Sequence, residues 1–384
     1  MKTKTFVFFL LCFYLSAYAK PETIAPGVCY KHAIVKGQSV HVLVVNPQQV
    51  TINIGMADNE STQAKKTSTI AKEHNAIAAV NGGFFDFGSS SKLHRLITIL
   101  LDCLGYDNYN APPVYTLQNN NNLYCLSHTF TGAIGWNNQT QYPFLSTIKS
   151  KISLTINNHA YKVNELNKPY AQHPSLYSWY YHDHITPFFK HSVKEVIIEN
   201  NRICSIHNKS HGRTAIPKNG YIYVIPAKTE IPFAIDDSVT IHIDHCQKSP
   251  DEQSLLLAWP AVDNILAGTP LLLHNKQIPE SIKNFASDFY RAKKPRTAVG
   301  ILKNGNWIFV VVDGRQKKSK GFTIPELALF MKKLGCIHAL NLDGGGSATM
   351  VIHDKVVNSP SGRDYGLFRK ERPVSNAIVI CAKE

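Results

Sequence analysis

Between Trp307 and Asp343 the chain reads as strand, helix, strand, and each strand runs straight into an aspartate. Trp307 to Val312 is an unbroken apolar run, the pattern of a strand covered on both faces, and it ends in Asp313-Gly314-Arg315. Ile324, Leu327, Ala328, Met331 and Leu334 then recur at helical spacing. Thr323 and Glu326 have the spacing of a capping box, and Gly335 supplies the stop. A second apolar run over 337–342 leads into Asp343. A connection of this kind predicts a parallel pair with a crossover helix, and parallel strands end on one edge of their sheet. Asp313 and Asp343 should therefore share a rim, where ligands of such sheets bind.

The residues after Asp343 sharpen this expectation. Gly344, Gly345 and Gly346 lack a Cβ and tolerate positive φ, so their N–H groups can turn toward a bound anion, with Ser347 adding a hydroxyl at the rim. The plainer reading is a tight turn in which Asp343 bonds its own backbone. A fainter echo lies upstream: a helix near 69–74, a buried strand over 77–80, then Asn81-Gly82-Gly83-Phe84-Phe85. Two such units would bring Asn81 and Asp343 to one cleft. From Val40 to Ile54 apolar and polar residues alternate as in half-buried strands, and residues 150–245 hold short strand candidates punctuated by Gly, Pro and Asn, as in antiparallel meanders.

Residues 1–19 read as a signal peptide. Lys2 and Lys4 are its basic end, Phe6 to Leu15 its apolar core, and Ala17-Tyr18-Ala19 a cleavage site. No segment is long and apolar enough to span a bilayer, so the product is expected to be secreted or periplasmic. Residues 20–384 then form one domain, with an insertion at about 87–130 marked by an amphipathic helix (Leu93 to Leu104) and the exposed polar run Asn119–Asn122. The 41 Lys and Arg outnumber the 27 Asp and Glu, a formal charge of +14. No nucleic-acid-binding motif accompanies the basic clusters Lys293-Lys294-Arg296 and Arg315-Lys317-Lys318-Lys320. A phosphate-bearing small substrate suits them better than a polymer. Of the 8 cysteines, Cys12 falls in the leader; Cys103 and Cys125, which flank a loop-rich stretch, are the favoured disulfide pair. No CxxC pair suggests zinc. His182 and His184, beside Trp179, Tyr180 and Tyr181, offer either a metal pair or an aromatic surface loop at the mouth of the cleft. The loop is preferred, because the 17 histidines are dispersed. No cofactor and no metal are expected.

Several segments together resemble the phosphodiester glycosidase family: Val80–Phe85, Gly268–Leu272, Pro295–Gly300, Val312–Arg315, Thr323–Leu327, Asn341–Ser347 and Arg372–Ala377, in that order along nearly the whole mature chain. The resemblance implies hydrolysis of the bond between a sugar's anomeric carbon and a phosphodiester, with N-acetylglucosamine as one candidate sugar. Glycosidases commonly use two carboxylates. A phosphodiester is already a good leaving group, so stabilising the departing anion matters more than protonating it. Asp343 is the first choice for the carboxylate that activates water or shields the cationic sugar, and Asp313 the second. Arg296 and Glu326 complete the catalytic candidates, although Glu326 suits a helix cap as well. Substrate or phosphate contacts are expected from Asn81, Gly82, Phe84, Arg315, Gly344, Gly345, Gly346, Ser347 and Asn376; of Phe84 and Phe85, one belongs to the core and the other to a sugar platform. The fold expected is α+β, a mixed, largely antiparallel sheet with a parallel βαβ unit carrying the site. Two other readings compete: a metal-dependent phosphodiesterase cutting P–O, and a non-catalytic envelope or glycan-binding protein.

Overall fold

The computed structural model describes residues 21–58, 63–86, 111–168, 173–185, 192–248, 256–283, 287–363 and 369–383. The leader, the helix expected at 93–104 and Cys103 lie outside them. The elements that frame the site are β1 (Glu22–Ala25), β2 (Val28–Val35), β3 (Gln38–Val45), β4 (Val50–Met56), α1 (Thr67–Glu73), β5 (Ala78–Asn81), β6 (Thr131–Trp136), β7 (Pro143–Ile156), β8 (Asn264–Gly268), β9 (Leu271–Leu273), β10 (Arg296–Leu302), β11 (Trp307–Val312), α2 (Ile324–Lys333), β12 (Cys336–Asn341), β13 (Met350–Ile352) and β14 (Asn376–Ala382).

The first sheet has the order β1-β2-β3-β11-β10-β12-β9. The apolar run of β11 explains its own position. Trp307, Phe309 and Val311 face one side and join a core with Leu43 and Val45 of β3, Ile52 and Ile54 of β4, and Ile378 and Ile380 of β14. Ile308, Val310 and Val312 face the other side and pack under Ile324, Leu327, Ala328 and Met331 of α2. A strand whose residues alternate between two apolar layers has no reason to be amphipathic. α2 begins with the expected capping box: the Thr323 side chain accepts from Glu326 N, and Glu326 Oε2 accepts from Thr323 N.

The second sheet, whose chief strands run β13-β5-β14-β4, covers the other face of the first. Its C-terminal strand β14 is an interior strand, paired with β5 on one side and β4 on the other. A third sheet holds β6, β7 and β8, and a fourth holds strands from residues 165–226, where antiparallel meanders were expected; it is largely antiparallel, but residues 220–226 insert between 175–178 and 193–199, so it is no simple meander. Residues 117–125, within the expected insertion, form a hairpin that extends the third sheet, and Asn120 and Asn121 take the positive φ of its turn. Cys125 is buried and its thiol donates to Pro113 O at 3.1 Å.

The predicted parallel pair is corrected. β11 and β12 run in the same direction, but β10 lies between them, antiparallel to both. Among the described strands only Glu165–Leu166 and Ser175–Leu176 pair in parallel. The crossover helix α2 is present, spanning one intervening strand. Its geometric consequence survives: β11 and β12 end on one edge, and β10 begins there, with Arg296 opposite Val312 and Ala298 opposite Asn341.

Candidate active site

At that edge the two central sheets meet. Asn81 ends β5, and its Nδ2 donates to the Asp343 carbonyl at 2.7 Å while its Oδ1 accepts from Thr297 Oγ1 and Thr349 N. The Asp343 N–H donates in turn to Gly82 O. Asn376 Oδ1 accepts from Gly83 N at 2.9 Å, and a Cβ on Gly82 would collide with that same oxygen. Asn81, Gly82 and Asn376 are buried and do not line the cavity. They brace the backbone that carries Asp343, where the sequence suggests substrate contacts.

The cavity itself encloses ≈ 170 Å³ and is lined by Phe84, Phe289, Lys294, Arg296, Arg315, Asn341, Asp343, Gly344, Gly345, Gly346 and Arg372. Asp343 is the one carboxylate among them, and four cations surround it. Its Oδ1 accepts from Gly344 N at 2.8 Å; its Oδ2 accepts from Ser347 Oγ at 2.6 Å and from Arg372 Nη2 at 2.9 Å. Ser347 is itself fixed by Arg372, whose Nε donates to its Oγ at 2.9 Å. Burial pushes the Asp343 carboxyl above its ordinary pKa, and Arg372, Ser347 and Gly344 offset that only in part.

The triple glycine is a turn rather than an open cradle. Gly344 N is taken by the Asp343 side chain, Gly345 N by Pro295 O at 2.9 Å, and Ser347 N by Gly344 O. The glycines are needed for space: a Cβ on Gly344 would stand 2.8 Å from Pro295 O, and Gly345 has φ +63° beside the Arg315 guanidinium. The positive charge that faces the cavity is therefore that of its side-chain cations.

Arg296 is buried, with Nε bonded to Phe322 O at 3.0 Å and Nη2 to Phe289 O and Ala292 O, and it stacks over the Phe289 ring at 5.2 Å. Burial, and then the nearby Arg315, lowers its pKa to about 10. It supports the 289–292 wall and lends charge to the cavity. Phe84 lines the opening, edge-on to Tyr115; Phe85 packs into the core beneath Arg372. One ring of the pair thus faces the cavity and the other does not.

Asp313 and Glu326 do not line the cavity. Asp313 Oδ2 accepts from Ser39 Oγ at 2.9 Å and His41 Nε2 at 3.3 Å, and Oδ1 from Asn358 Nδ2 and Ser359 N. Burial raises its pKa, but the bonds from His41, Ser359 and Ser39 outweigh this and hold it below the usual range. With four donors and no place in the cavity lining, it anchors the loop that presents Arg315. Glu326 is occupied by its capping box and by Lys293 Nζ at 3.5 Å. Four lining residues, Phe289, Lys294, Asn341 and Arg372, were not expected as site residues. Lys294 stands in a basic cluster and Arg372 in a recognised segment, but only the fold shows which of several cations turn inward. Asn341 donates from Nδ2 to Thr269 O, while its buried Oδ1 has no partner among the described residues, an acceptor suited to a substrate hydroxyl.

Except for Phe84, every lining residue lies within one stretch of sequence that has recognisable relatives. Residues 193–381 match the family model of the phosphodiester glycosidases. The N-acetylglucosamine-1-phosphodiester alpha-N-acetylglucosaminidase of Mus musculus is 36% identical over 99 residues, and that of Bos taurus 37% over 97. These stretches are 26% and 25% of this chain but only 19% and 18% of the relatives, so the chain aligns with about a fifth of their length. A solved hypothetical protein from Synechocystis shares the fold, with a TM-score of 0.74 over 96% of this chain and 64% of its own, at 21% identity. No helix of the described residues is long and apolar enough to cross a membrane.

Proposed function

We propose that this protein is an exported glycosidase that hydrolyses the anomeric C–O bond of a sugar-1-phosphodiester. The observation that carries the reading is one largely covered carboxylate, Asp343, in a small cavity shared with Lys294, Arg296, Arg315 and Arg372. Water attacks the anomeric carbon, the C–O bond breaks, and its electron pair leaves on the phosphate oxygen of a departing monoester. Asp343 takes the proton from the attacking water and passes it to solvent. A carboxylate whose pKa is raised by burial is the better base for this. Lys294, Arg315 and Arg372 stabilise the charge that gathers on the leaving group. Asn341 Oδ1 accepts from a sugar hydroxyl, and Phe84 offers the ring its apolar face. N-acetylglucosamine is the first sugar to test, because the relatives named above act on it.

A metal-dependent P–O hydrolysis would draw on clustered carboxylate and imidazole ligands. Among the described residues the lining offers a single carboxylate, no histidine and four cations. Hydrolysis of an N-acetylglucosamine-1-phosphodiester in ¹⁸O-labelled water separates the two. Label in the released sugar supports the proposal. Label in the phosphate overturns it in favour of P–O cleavage, and no turnover across a panel of sugar-1-phosphodiesters favours a binding protein.

A further inference from the structure

A second cluster lies outside this cavity, on the turn after Trp179. His182, Asp183 and His184 are consecutive in sequence, and Nδ1 of each imidazole and Oδ1 of the carboxylate all lie within 4.8 Å of one another. Both imidazole nitrogens are in close contact with Asp183 Oδ1. None of the three lines the Asp343 cavity.

The hydrogen bonds around the cluster fix where its protons are. The Asp183 backbone N–H donates to His182 Nδ1 at 2.9 Å, so that nitrogen carries a lone pair. Arg213 Nη2 stands 2.9 Å from His184 Nδ1; a guanidinium only donates, so that nitrogen carries a lone pair as well. An ionised carboxylate has only acceptors. Both nitrogens thus offer a lone pair beside the carboxylate, and an ion entering the cluster would take these lone pairs in place of the two present donors. Two imidazoles and one carboxylate suit a first-row divalent ion such as Zn²⁺. Bonds of about 2.1 Å would place tetrahedral donors roughly 3.4 Å apart, so the exposed Asp183 carboxylate, now in closer contact with both nitrogens, would move outward to admit the ion.

We propose that His182 Nδ1, Asp183 Oδ1 and His184 Nδ1 form a divalent-metal site with Zn²⁺-like preference, separate from the Asp343 cavity. The neighbourhood is already tied together around it. His184 and Ile185 pair with Thr214 and Ala215, and Asp183 O accepts from Ile216 N. The ion would pin this turn to the 214–216 strand, and the Arg213 side chain would swing away to leave room for a fourth ligand, a water or a donor from a bound partner.

The test is titration of the full chain, dialysed against chelator, with ZnCl₂ alone in a calorimeter, repeated with Co²⁺ followed by visible absorption. One ion per chain is expected, with Co²⁺ giving the d–d bands of a low-coordinate N/O site. His182→Ala, Asp183→Asn and His184→Ala should each weaken binding at least about tenfold. Zn²⁺ should raise the Tm of the wild type and not of the variants. All three positions sit on a part-exposed turn, and far-ultraviolet circular dichroism would confirm that each variant folds. Absence of uptake overturns the proposal, because the cluster is then held by protons. So does equal uptake by wild type and variants, which would place the ion on other histidines or cysteines.

Discussion

Arg372 Nη2 stands 2.9 Å from Asp343 Oδ2, a cation from the segment just before the last strand held against the carboxylate at the end of β12. It is the charge nearest the proposed base, and it also bonds Ser347, the second donor to the same oxygen. Arg372→Met should leave Asp343 buried without its counter-charge and raise its pKa further. The acid limb of the kcat/KM profile should then move to higher pH by roughly one unit, with at least a tenfold loss at pH 7. An acid limb that stays where it was would show that the limb reports another group.

Asp343→Asn should lower kcat by about a hundredfold or more, the ordinary contribution of a positioned base. Its effect on stability should have the opposite sense. A carboxyl whose folded pKa is raised contributes stability that is present below the unfolded pKa and lost as pH rises through the folded one. The ionised side chain is thus a burden at pH 7, and the amide removes it. Melting curves from pH 7 down to 4 should show the variant at least as stable as the wild type at pH 7, with its relative advantage shrinking as the pH falls. A variant strongly destabilised at pH 7 would contradict the raised pKa.

Asp313→Asn should do the reverse. Its folded pKa is depressed, so its contribution is fully present above the unfolded value and disappears only as the pH falls through the lower, folded one. At pH 7 the variant should lose about 1–3 kcal/mol in urea unfolding, since the donors Ser39, Asn358 and Ser359 lose a charged acceptor. KM should rise more than kcat falls, because the carboxylate positions the Arg315 loop without touching substrate. A hundredfold loss of kcat with unchanged stability would return Asp313 to the catalytic list.

Gly345→Ala places a methyl in the left-handed region, at a cost of roughly 1–2 kcal/mol, and 3.0 Å from Arg315 Nη2. The guanidinium must shift. Inorganic phosphate should protect the wild type weakly against heat and the variant much less. Equal protection would place the bound anion away from Arg315.

Much of this was legible in the chain, and what was not has a common cause. β11, the cap of α2 and the entry to Asp343 come from local rules: an apolar run, a Thr–Glu spacing, a terminal glycine. That Asp313 and Asp343 end on one edge was legible too. The insertion of β10 between their strands was not, because an apolar segment such as Arg296–Leu302 declares that it is buried and not beside which neighbour. Side-chain roles were hidden for the same reason. Asp313 and Asp343 are alike as strand-ending aspartates, yet one meets four donors from β3 and the 358–359 turn while the other meets a cavity. Arg372 stood in a recognised segment with no local sign that it, rather than Asn376, would face inward. The glycine run suggested an anion cradle because its N–H groups were counted without knowing that Pro295 O and the Asp343 carboxylate would take two of them.

The interior position of β14 bears on when the protein can act. Its partners β4 and β5 come about 300 residues earlier, and the second sheet stays open down its middle until β14 arrives. Arg372 and Asn376 enter with that strand. A growing chain, made from its N-terminus, therefore carries Asp343 before Arg372 is there to face its carboxylate and before Asn376 braces Gly83. The charged cavity is complete only once β14 takes its place, so copies clipped ahead of Arg372 should be inert rather than partly active.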